Sequence, residues 1–199
     1  MMGNYEYIVS SLPALSPDWR YGADGSFASY VGWIKTQLGE SDKKAVDTLL
    51  DGFRGENLDR GFYETVLAGN VRFLREYFTF DLNVRNAKAR YVNGRLGRER
   101  DTDTIPIETG EFAEASRLEE VLETGDLLAR ERALDSLTWD KIVELNRFDY
   151  FNLDAILGFI ARLHVIDRWF SLDEETGREM FNTLIDEVRS TFKGVNEKY

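Results

Sequence analysis

The sequence has little of what metal and redox sites are made from. Its 199 residues include no cysteine and one histidine. Without cysteine the chain can form neither a disulfide nor a thiolate zinc site, and one histidine excludes a site built mainly on imidazoles. A di-iron centre of the helical-bundle type is excluded too, because it needs a Glu-x-x-His pair on each of two helices. We therefore expect no metal and no cofactor.

Motifs that mark catalytic sites are also missing from the sequence. We find no GxxxxGK[ST] phosphate loop, no nucleophile elbow, no HExxH zinc motif and no EF-hand loop. His164 lies in an apolar stretch beside Asp167 and Arg168, and we interpret it as a packed or surface-bonded histidine rather than a general base. The chain is therefore not expected to be an enzyme, although an enzyme that uses carboxylates alone stays an alternative.

Long apolar runs and overall positive charge are absent as well. The most apolar stretch, residues 153–170, is too polar to span a bilayer, and the N-terminus lacks the basic residues and apolar run of a signal peptide. We expect a cytoplasmic protein without a membrane span. The net charge of −11 argues against binding nucleic acid or an anionic membrane surface through overall electrostatics, because both require positive charge.

What the sequence does contain is helical periodicity. Residues 153–170 are apolar almost all round and predict a mostly buried helix. Residues 171–192 carry one apolar face, and Ser171 with Glu174 forms a capping box at their start. Together the two segments predict an αα-hairpin around which the other elements are arranged. We expect an all-α, multi-helix bundle whose first hairpin helix is the most buried one.

The remainder of the chain predicts further helices and one long loop. The helical stripes cover residues 26–39, 41–53, 58–68, 71–96, 112–121, 127–137 and 139–145. The alternation of Tyr5, Tyr7 and Val9, followed by two prolines, predicts an extended N-terminal lead-in. Residues 97–110 combine glycine, proline and charge, so we expect a loop or boundary there inside a single helical domain of residues 1–199.

One stretch of the acidic chain is basic. Six basic residues stand against the single acid Glu99; they are Arg85, Lys88, Arg90, Arg95, Arg98 and Arg100. They either pair with acids elsewhere in the same fold or form a docking surface for an acidic partner. We assign the partner contact to Lys88, Arg90, Arg95 and Arg98. Arg85 and Asn86 share the apolar stripe of their helix, so we expect them to be partly buried, with a structural or socket-lining role.

Three stretches together resemble a known family. They are YEYIVSSLPALS near the N-terminus, FTFDLNVRNAKARY at 78–91 and FNLDAILGFIARLHVIDRWFSLD at 151–173. They resemble a bacterial family encoded among V-type ATPase genes, which is itself similar to the central-stalk protein known as C in V/A-type ATPases and as d in eukaryotic V-ATPases. Asp81, Asn86, Lys88 and Arg90 match the pattern of this stalk protein, in which an acid, an asparagine and basic residues lie on a long inner helix.

The resemblance implies a fold, a function and partners. The stalk protein of V/A-type ATPases is all-helical, has no catalytic residues, caps the membrane rotor ring and receives the foot of the central rotor shaft in a socket. By this resemblance the chain is a non-catalytic central-stalk subunit that links the rotor shaft to the rotor ring, and it lies in the cytoplasm, peripheral to the inner membrane through the complex. The alternative from the residues alone is a free-standing cytosolic helical adaptor or regulatory protein.

Overall fold

A computed structural model describes residues 4–22 and 25–171, and this part of the chain is all-α, as predicted. It contains eight α-helices, a short 3-10 helix at Gly55–Asn57 and no strand. The helices are α1 (Tyr5–Ser11), α2 (Phe27–Gln37), α3 (Glu40–Gly52), α4 (Arg60–Leu67), α5 (Arg72–Leu96), α6 (Ala115–Leu122), α7 (Leu127–Leu145) and α8 (Leu153–Ser171).

Helix α8 lies at the centre of the fold. It contacts α1, α2, α3, α5 and α7, and Ile156, Leu157, Ile160 and Leu163 are completely buried. A helix surrounded in this way has no wide solvent face, which is why its sequence is apolar almost all round. The prediction of a buried central helix is therefore confirmed. The second helix of the predicted hairpin, residues 171–192, lies almost entirely outside the described residues.

Among the described residues, two hydrophobic clusters hold the helices together. The larger one combines side chains of α1 to α5 with α8 and with Ile142 of α7. The smaller one joins Phe80 of α5 to Leu118 and Leu122 of α6 and to Leu134 and Leu137 of α7. Helix α5 supplies side chains to both clusters, so it connects the two parts of the core.

Helices α5 and α7 run antiparallel. At the start of α5, Arg72 Nη1 donates a hydrogen bond to the carbonyl oxygen of Leu145, 3.2 Å away at the end of α7. Near the end of α5, the guanidinium of Arg130 from the first turn of α7 lies 5.9 Å from the ring centroid of Tyr91. Each end of this helix pair therefore carries residues from both helices.

The N-terminal lead-in differs from the prediction in its first part. Residues Tyr5–Ser11 form α1 rather than an extended segment, and Ile8 is completely buried in the larger cluster. The alternation of Tyr5, Tyr7 and Val9 suggests a strand, but Tyr5, Ile8, Val9 and Leu12 also follow helical spacing. Packing of this second stripe on α8 decides the conformation. After Ser11 the chain is non-helical up to Gly22, as the two prolines predict.

Helix α7 is one element where the sequence predicted two. It runs without a break from Leu127 to Leu145. The predicted interruption falls at Thr138, whose hydroxyl donates a hydrogen bond to the carbonyl oxygen of Leu134 at 3.0 Å. A threonine bonded in this way is accommodated inside a helix. The predicted break after α5 is present, because no α-helix occurs between Leu96 and Ala115.

Candidate interaction surface at the end of α5

Two buried asparagines of α5 hold the loop that follows the helix. Asn86 Nδ2 donates to the carbonyl oxygen of Ile105 at 2.9 Å, and the Ile105 N–H donates to Asn86 Oδ1 at 2.8 Å. Asn93 Nδ2 donates to the carbonyl oxygens of Arg100 and Thr102 at 3.2 and 2.6 Å. These bonds satisfy backbone groups that no helix pairs, so they fix the loop on the side of α5.

The helix end itself is set by a glycine. Gly97 has a φ of 64°, in the left-handed region that residues with a Cβ rarely adopt, and its N–H donates to the carbonyl oxygen of Gly94. A left-handed residue of this kind ends an α-helix and turns the chain back. The loop therefore returns along α5 and brings Arg98 and Arg100 next to the basic residues of the helix.

Two of the six basic residues pair with acids close by. Arg90 Nε lies 2.7 Å from Asp101 Oδ1, and Arg95 Nη2 lies 3.0 Å from Glu123 Oε2. Both pairs are largely solvent-exposed, so each contributes little to stability. The interpretation that these residues pair within the fold is thus correct for Arg90 and Arg95.

In the part of the chain that the structure describes, the other basic residues are not neutralised in this way. Arg85, Arg98 and Arg100 are exposed, and none of them forms an ion pair within residues 4–22 and 25–171. Lys88 is half-buried. The exposure of Arg85 corrects the prediction that it is partly buried like Asn86. Because successive helical residues are rotated by about 100°, Arg85 reaches solvent at the edge of the stripe while Asn86 faces the loop.

An aromatic ring organises the arginines at this end. The guanidinium of Arg95 lies 5.1 Å from the ring centroid of Tyr91, and Arg130 approaches the same ring at 5.9 Å. Arg95 Nη2 also donates to the Tyr91 hydroxyl at 2.8 Å. Cation–π contacts hold guanidinium groups in place without removing their charge. Tyr91 was not among the residues predicted to form the site, although its spacing of four residues from Arg95 indicates that the two meet on one helix face.

Apolar side chains are exposed beside these charges. Val92 and Leu96 of α5 are 49% and 58% exposed, and Leu127 and Leu128 at the start of α7 are 69% and 60% exposed. We call this end of the α5 and α7 pair, with Lys88, Arg90, Arg95, Arg98 and these four apolar residues, the basic end. A mixture of arginine and exposed aliphatic residues is typical of a protein-binding surface.

A cleft of about 770 Å³ lies between α5, the loop and α6. Arg90, Tyr91 and Arg100 contribute polar groups to it, and Phe112 and Leu118 contribute apolar ones. A segment of a partner can therefore enter the surface next to the basic end and not only lie on it. Asp81, which the resemblance groups with these residues, lies deeper in the protein.

Asp81 is half-buried and is bonded to a buried tyrosine. The Tyr63 hydroxyl donates a hydrogen bond to Asp81 Oδ2 at 2.6 Å. Burial raises the pKa of the Asp81 carboxyl, while the Tyr63 bond and the charges of Arg85 and Lys88 act in the opposite direction. Tyr63 is completely buried and Asp81 is half-buried, so this pair connects α4 to α5.

His164 is a packed residue. Its ring stacks on Phe53 with a centroid distance of 3.9 Å and an interplanar angle of 5°. Burial lowers the pKa of His164 to about 4, so the imidazole is neutral at pH 7. This placement agrees with the packed interpretation rather than with a general base.

Neither a metal centre nor a membrane span is seen in the described ranges. Within residues 4–22 and 25–171 there is no group of three or more His, Asp or Glu side chains arranged to hold a metal ion. In the same part of the chain, no helix combines the length and the apolar character needed to cross a bilayer.

Comparison with known proteins adds one match. Residues 107–191 match a family described as "Protein of unknown function (DUF2764)". The matched segment starts in the loop after α5, includes α6 to α8 and continues past the described residues. It leaves out α5, and with it most of the basic end. No curated protein and no solved structure matches the chain.

Proposed function

We propose that the protein is a non-catalytic central-stalk subunit of a V/A-type ATPase, which links the soluble rotor shaft to the membrane rotor ring. The observation that carries this proposal is the basic end, where exposed arginines and exposed leucines occur together at one end of the α5 and α7 pair. The resemblance of the three sequence stretches to the ATPase-associated family supplies the partner. The role requires docking surfaces and no reacting groups.

The chemistry of the basic end suits an acidic, partly apolar protein surface. Arginine forms planar, bidentate bonds with carboxylates, and Leu96, Leu127 and Leu128 offer apolar area beside it. The chain as a whole carries a net charge of −11. An acidic partner is therefore repelled by most of the molecule and attracted at one place, which orients it on approach.

The way the surface is mounted also fits a coupling role. The loop that carries Arg98 and Arg100 is tied to α5 by Asn86 and Asn93, and α5 contributes to both hydrophobic clusters. A load applied at the basic end is thus transmitted to the core through a helix of 25 residues. We retain the structural or socket-lining role for Asn86.

The second candidate is a free-standing helical adaptor or regulatory protein. The same mixture of arginines and leucines would serve an acidic partner outside any ATPase, and the site contains nothing specific to a rotor. The two candidates differ in the identity of the proteins that bind the full chain in its host.

Co-purification of the tagged, full-length protein tests the proposal. Wild-type protein should retain the central-shaft and rotor-ring proteins at low salt and lose them progressively as salt screens the contact. Arg95→Glu with Arg98→Glu should reduce their recovery about tenfold or more, because attraction at the surface becomes repulsion. The thermal melting curve of the double variant should stay close to that of the wild type, since both side chains are exposed.

A matched control separates the effect of the basic end on recovery from the effect of the changed net charge. Arg54→Glu with Arg60→Glu changes the charge by the same amount at exposed positions near the ends of α3 and α4, where the side chains are 66% and 63% exposed. This variant should retain the ATPase proteins. Equal retention by both double variants would remove the basic end as the docking site. Absence of ATPase proteins from the wild-type sample would reject the stalk role and favour the adaptor.

A further inference from the structure

A pocket lies at the opposite end of the α5 and α7 pair from the basic end. It has a volume of about 510 Å³ and is bounded by the end of α1, the end of α7, the connection of residues 146–152 and the first half of α8. Val9, Leu12 and Phe159 form apolar walls, and Asn146, Arg147 and Arg162 bring polar groups to it.

Arg162 is the unusual residue of this pocket. It is half-buried, and burial lowers the pKa of its guanidinium, yet no carboxylate of the described residues pairs with it. Its Nε donates a long hydrogen bond of 3.4 Å to the carbonyl oxygen of Gly158, one turn back in the same helix. The guanidinium also lies 5.8 Å from the ring centroid of Trp139. A cation removed from water without a counter-charge is unfavourable, and a bound anion would reverse that cost.

Asn146 adds a second unsatisfied group. Its Nδ2 donates to the carbonyl oxygen of Asp154 at 2.9 Å and to Asp149 Oδ2 at 3.3 Å. These bonds fix the amide orientation and leave Oδ1 buried without a hydrogen-bond donor among the described residues. A buried acceptor of this kind is rare in native proteins. Oδ1 packs against the backbone of Gly158, where an added Cβ would stand 1.4 Å from it, so this oxygen faces α8 and a ligand in the pocket does not reach it.

The acid in the pocket lining is already compensated. Asp149 is paired with Arg72 of α5, and Asn152 Nδ2 donates to Asp149 Oδ1 at 2.8 Å. These partners hold the pKa of Asp149 below its usual range. Among the described lining residues, Arg162 is therefore the half-buried charge that no acid compensates. Arg147 lies exposed at the rim.

The connection between α7 and α8, which borders the pocket, is rich in exposed aromatic residues. Tyr150 lines the pocket and is 69% exposed, and Phe148 and Phe151 in the same connection are 80% and 53% exposed. Aromatic and arginine side chains are those that contribute most to protein–protein binding energy. Phosphate-rich partners fit less well, because Arg72 at the same end is surrounded by Glu76, Asp149 and Asp154.

We propose that this pocket binds an acidic side chain flanked by apolar residues on a protein partner. The carboxylate is held by Arg162, and its apolar neighbours by Leu12, Phe159 and Tyr150. This inference is independent of the ATPase assignment, because it rests on a different surface and names its ligand by chemistry alone.

Paired peptides test the proposal on the full-length protein. The probe is a fluorescein-labelled hexapeptide, Gly-Leu-Asp-Phe-Gly-Lys, with an asparagine counterpart as the neutral control. The aspartate peptide should bind at least about tenfold more tightly, as expected for a hydrogen bond between charged groups. The Nε–Hε NMR resonance of Arg162, assigned by its loss in Arg162→Met, should shift on addition of the aspartate peptide.

Variants identify the residue that causes the preference for the aspartate peptide. Arg162→Met keeps the apolar stem and should bind both peptides equally, whereas Arg162→Lys should keep part of the preference because it keeps the charge. Arg147→Met, at the exposed rim, should change the affinity by less than about threefold. Equal binding of the two peptides by wild-type protein, no binding at millimolar concentration, or a preference that survives Arg162→Met would each overturn the proposal. The wild-type comparison needs no variant to fold.

Two other occupants of the Arg162 pocket would give different experimental results. Self-association of wild-type protein in sedimentation, abolished by Arg162→Met, would assign the pocket to a second copy of the chain. A gain in peptide affinity on Asp186→Asn or Glu187→Gln would assign it to the acidic C-terminal stretch of the same chain. Either result would overturn binding of a separate partner.

Discussion

Gly52, the last residue of α3, lies directly against the ring of Phe78. A Cβ built on Gly52 would stand 2.1 Å from Phe78 Cζ and 2.3 Å from Cε1, with Phe62 Cζ at 3.0 Å. Phe78 is completely buried and its ring has a T-shaped contact with Phe62 at a centroid distance of 5.0 Å. The ring cannot move away without disturbing its neighbours, so a close approach of the α3 backbone requires a glycine.

Replacing Gly52 by alanine should therefore destabilise the protein. We expect Gly52→Ala to lower the free energy of unfolding by about 1–3 kcal/mol through overpacking, measured by urea denaturation. Gly32→Ala is the matched control, because Gly32 lies within α2 and, among the described residues, nothing stands within 4 Å of its Cβ position. The control should raise stability by up to about 1 kcal/mol through helix propensity. A gain in both variants would show that the Phe78 ring adapts freely.

Individual side chains differ in how far the sequence predicts them. The burial of Asn86 follows from its place on the apolar stripe of α5, but its bonds to Ile105 join residues 19 positions apart, which periodicity does not reveal. Arg85 occupies the edge of the same stripe and is exposed, since a long charged side chain reaches solvent wherever the edge permits. The lack of a carboxylate partner for Arg162 among the described residues depends on which helices surround α8, and no local pattern encodes that arrangement.

At the scale of elements, α8 shows what a continuous apolar segment means in this fold. Ile160 and Leu163 are both completely buried, with helices on several sides of them. The length and apolarity of residues 153–170 predict this position, because a helix without a polar face is stable only when it is enclosed. The same reasoning is weaker for short or interrupted segments such as α1 and α7.

Truncation of the α8 side chains should be costly. We expect Ile160→Ala and Leu163→Ala each to lower the free energy of unfolding by about 2–5 kcal/mol, because each deletes packed methyl groups and leaves a cavity. Val92→Ala on α5 is the control, since Val92 is 49% exposed, and its cost should be below about 1 kcal/mol. Chemical denaturation measures the free energy of unfolding of the three variants. Losses under about 1 kcal/mol at both α8 sites would contradict the central position of the helix.

The wrong predictions for α1 and α7 have a common cause. Seven residues of α1 contain both a strand-like alternation and a helical stripe, so only packing against α8 selects between them. In α7 the amphipathic pattern weakens around Thr138, and the helix continues because both of its halves have something to pack against. Helix α5, with 25 residues, has enough turns for its periodicity to be decisive.

For the whole molecule, the separation of the core into two clusters determines where the fold opens first. The larger cluster surrounds α8 on several sides, whereas the smaller cluster consists of a few side chains from α5, α6 and α7. Helix α6 has only eight residues, and Leu118 and Leu122 are its buried ones. Regions with few buried apolar contacts open locally at lower free energy than the rest of the protein.

Hydrogen exchange should resolve this difference. Under native conditions the backbone amides of α8 up to Ile166 should be the most strongly protected, and those of α6 should exchange at least about a hundredfold faster, through local opening. Leu118→Ala should accelerate exchange in α6 and leave the first half of α8 unchanged. Protection of α6 equal to that of α8 would indicate that the two clusters unfold as one cooperative unit.

The antiparallel arrangement of α5 and α7 fixes the distance between the basic end and the Arg162 pocket. The basic end lies at the first turn of α7 and the Arg162 pocket at its last, so the 19 residues of the helix place the two surfaces roughly 27 Å apart at about 1.5 Å per residue. A flexible partner segment that contacts both surfaces needs about eight extended residues between its two contacts. A shorter partner segment occupies one surface and leaves the other open, while a longer one gains from the high local concentration of its second half.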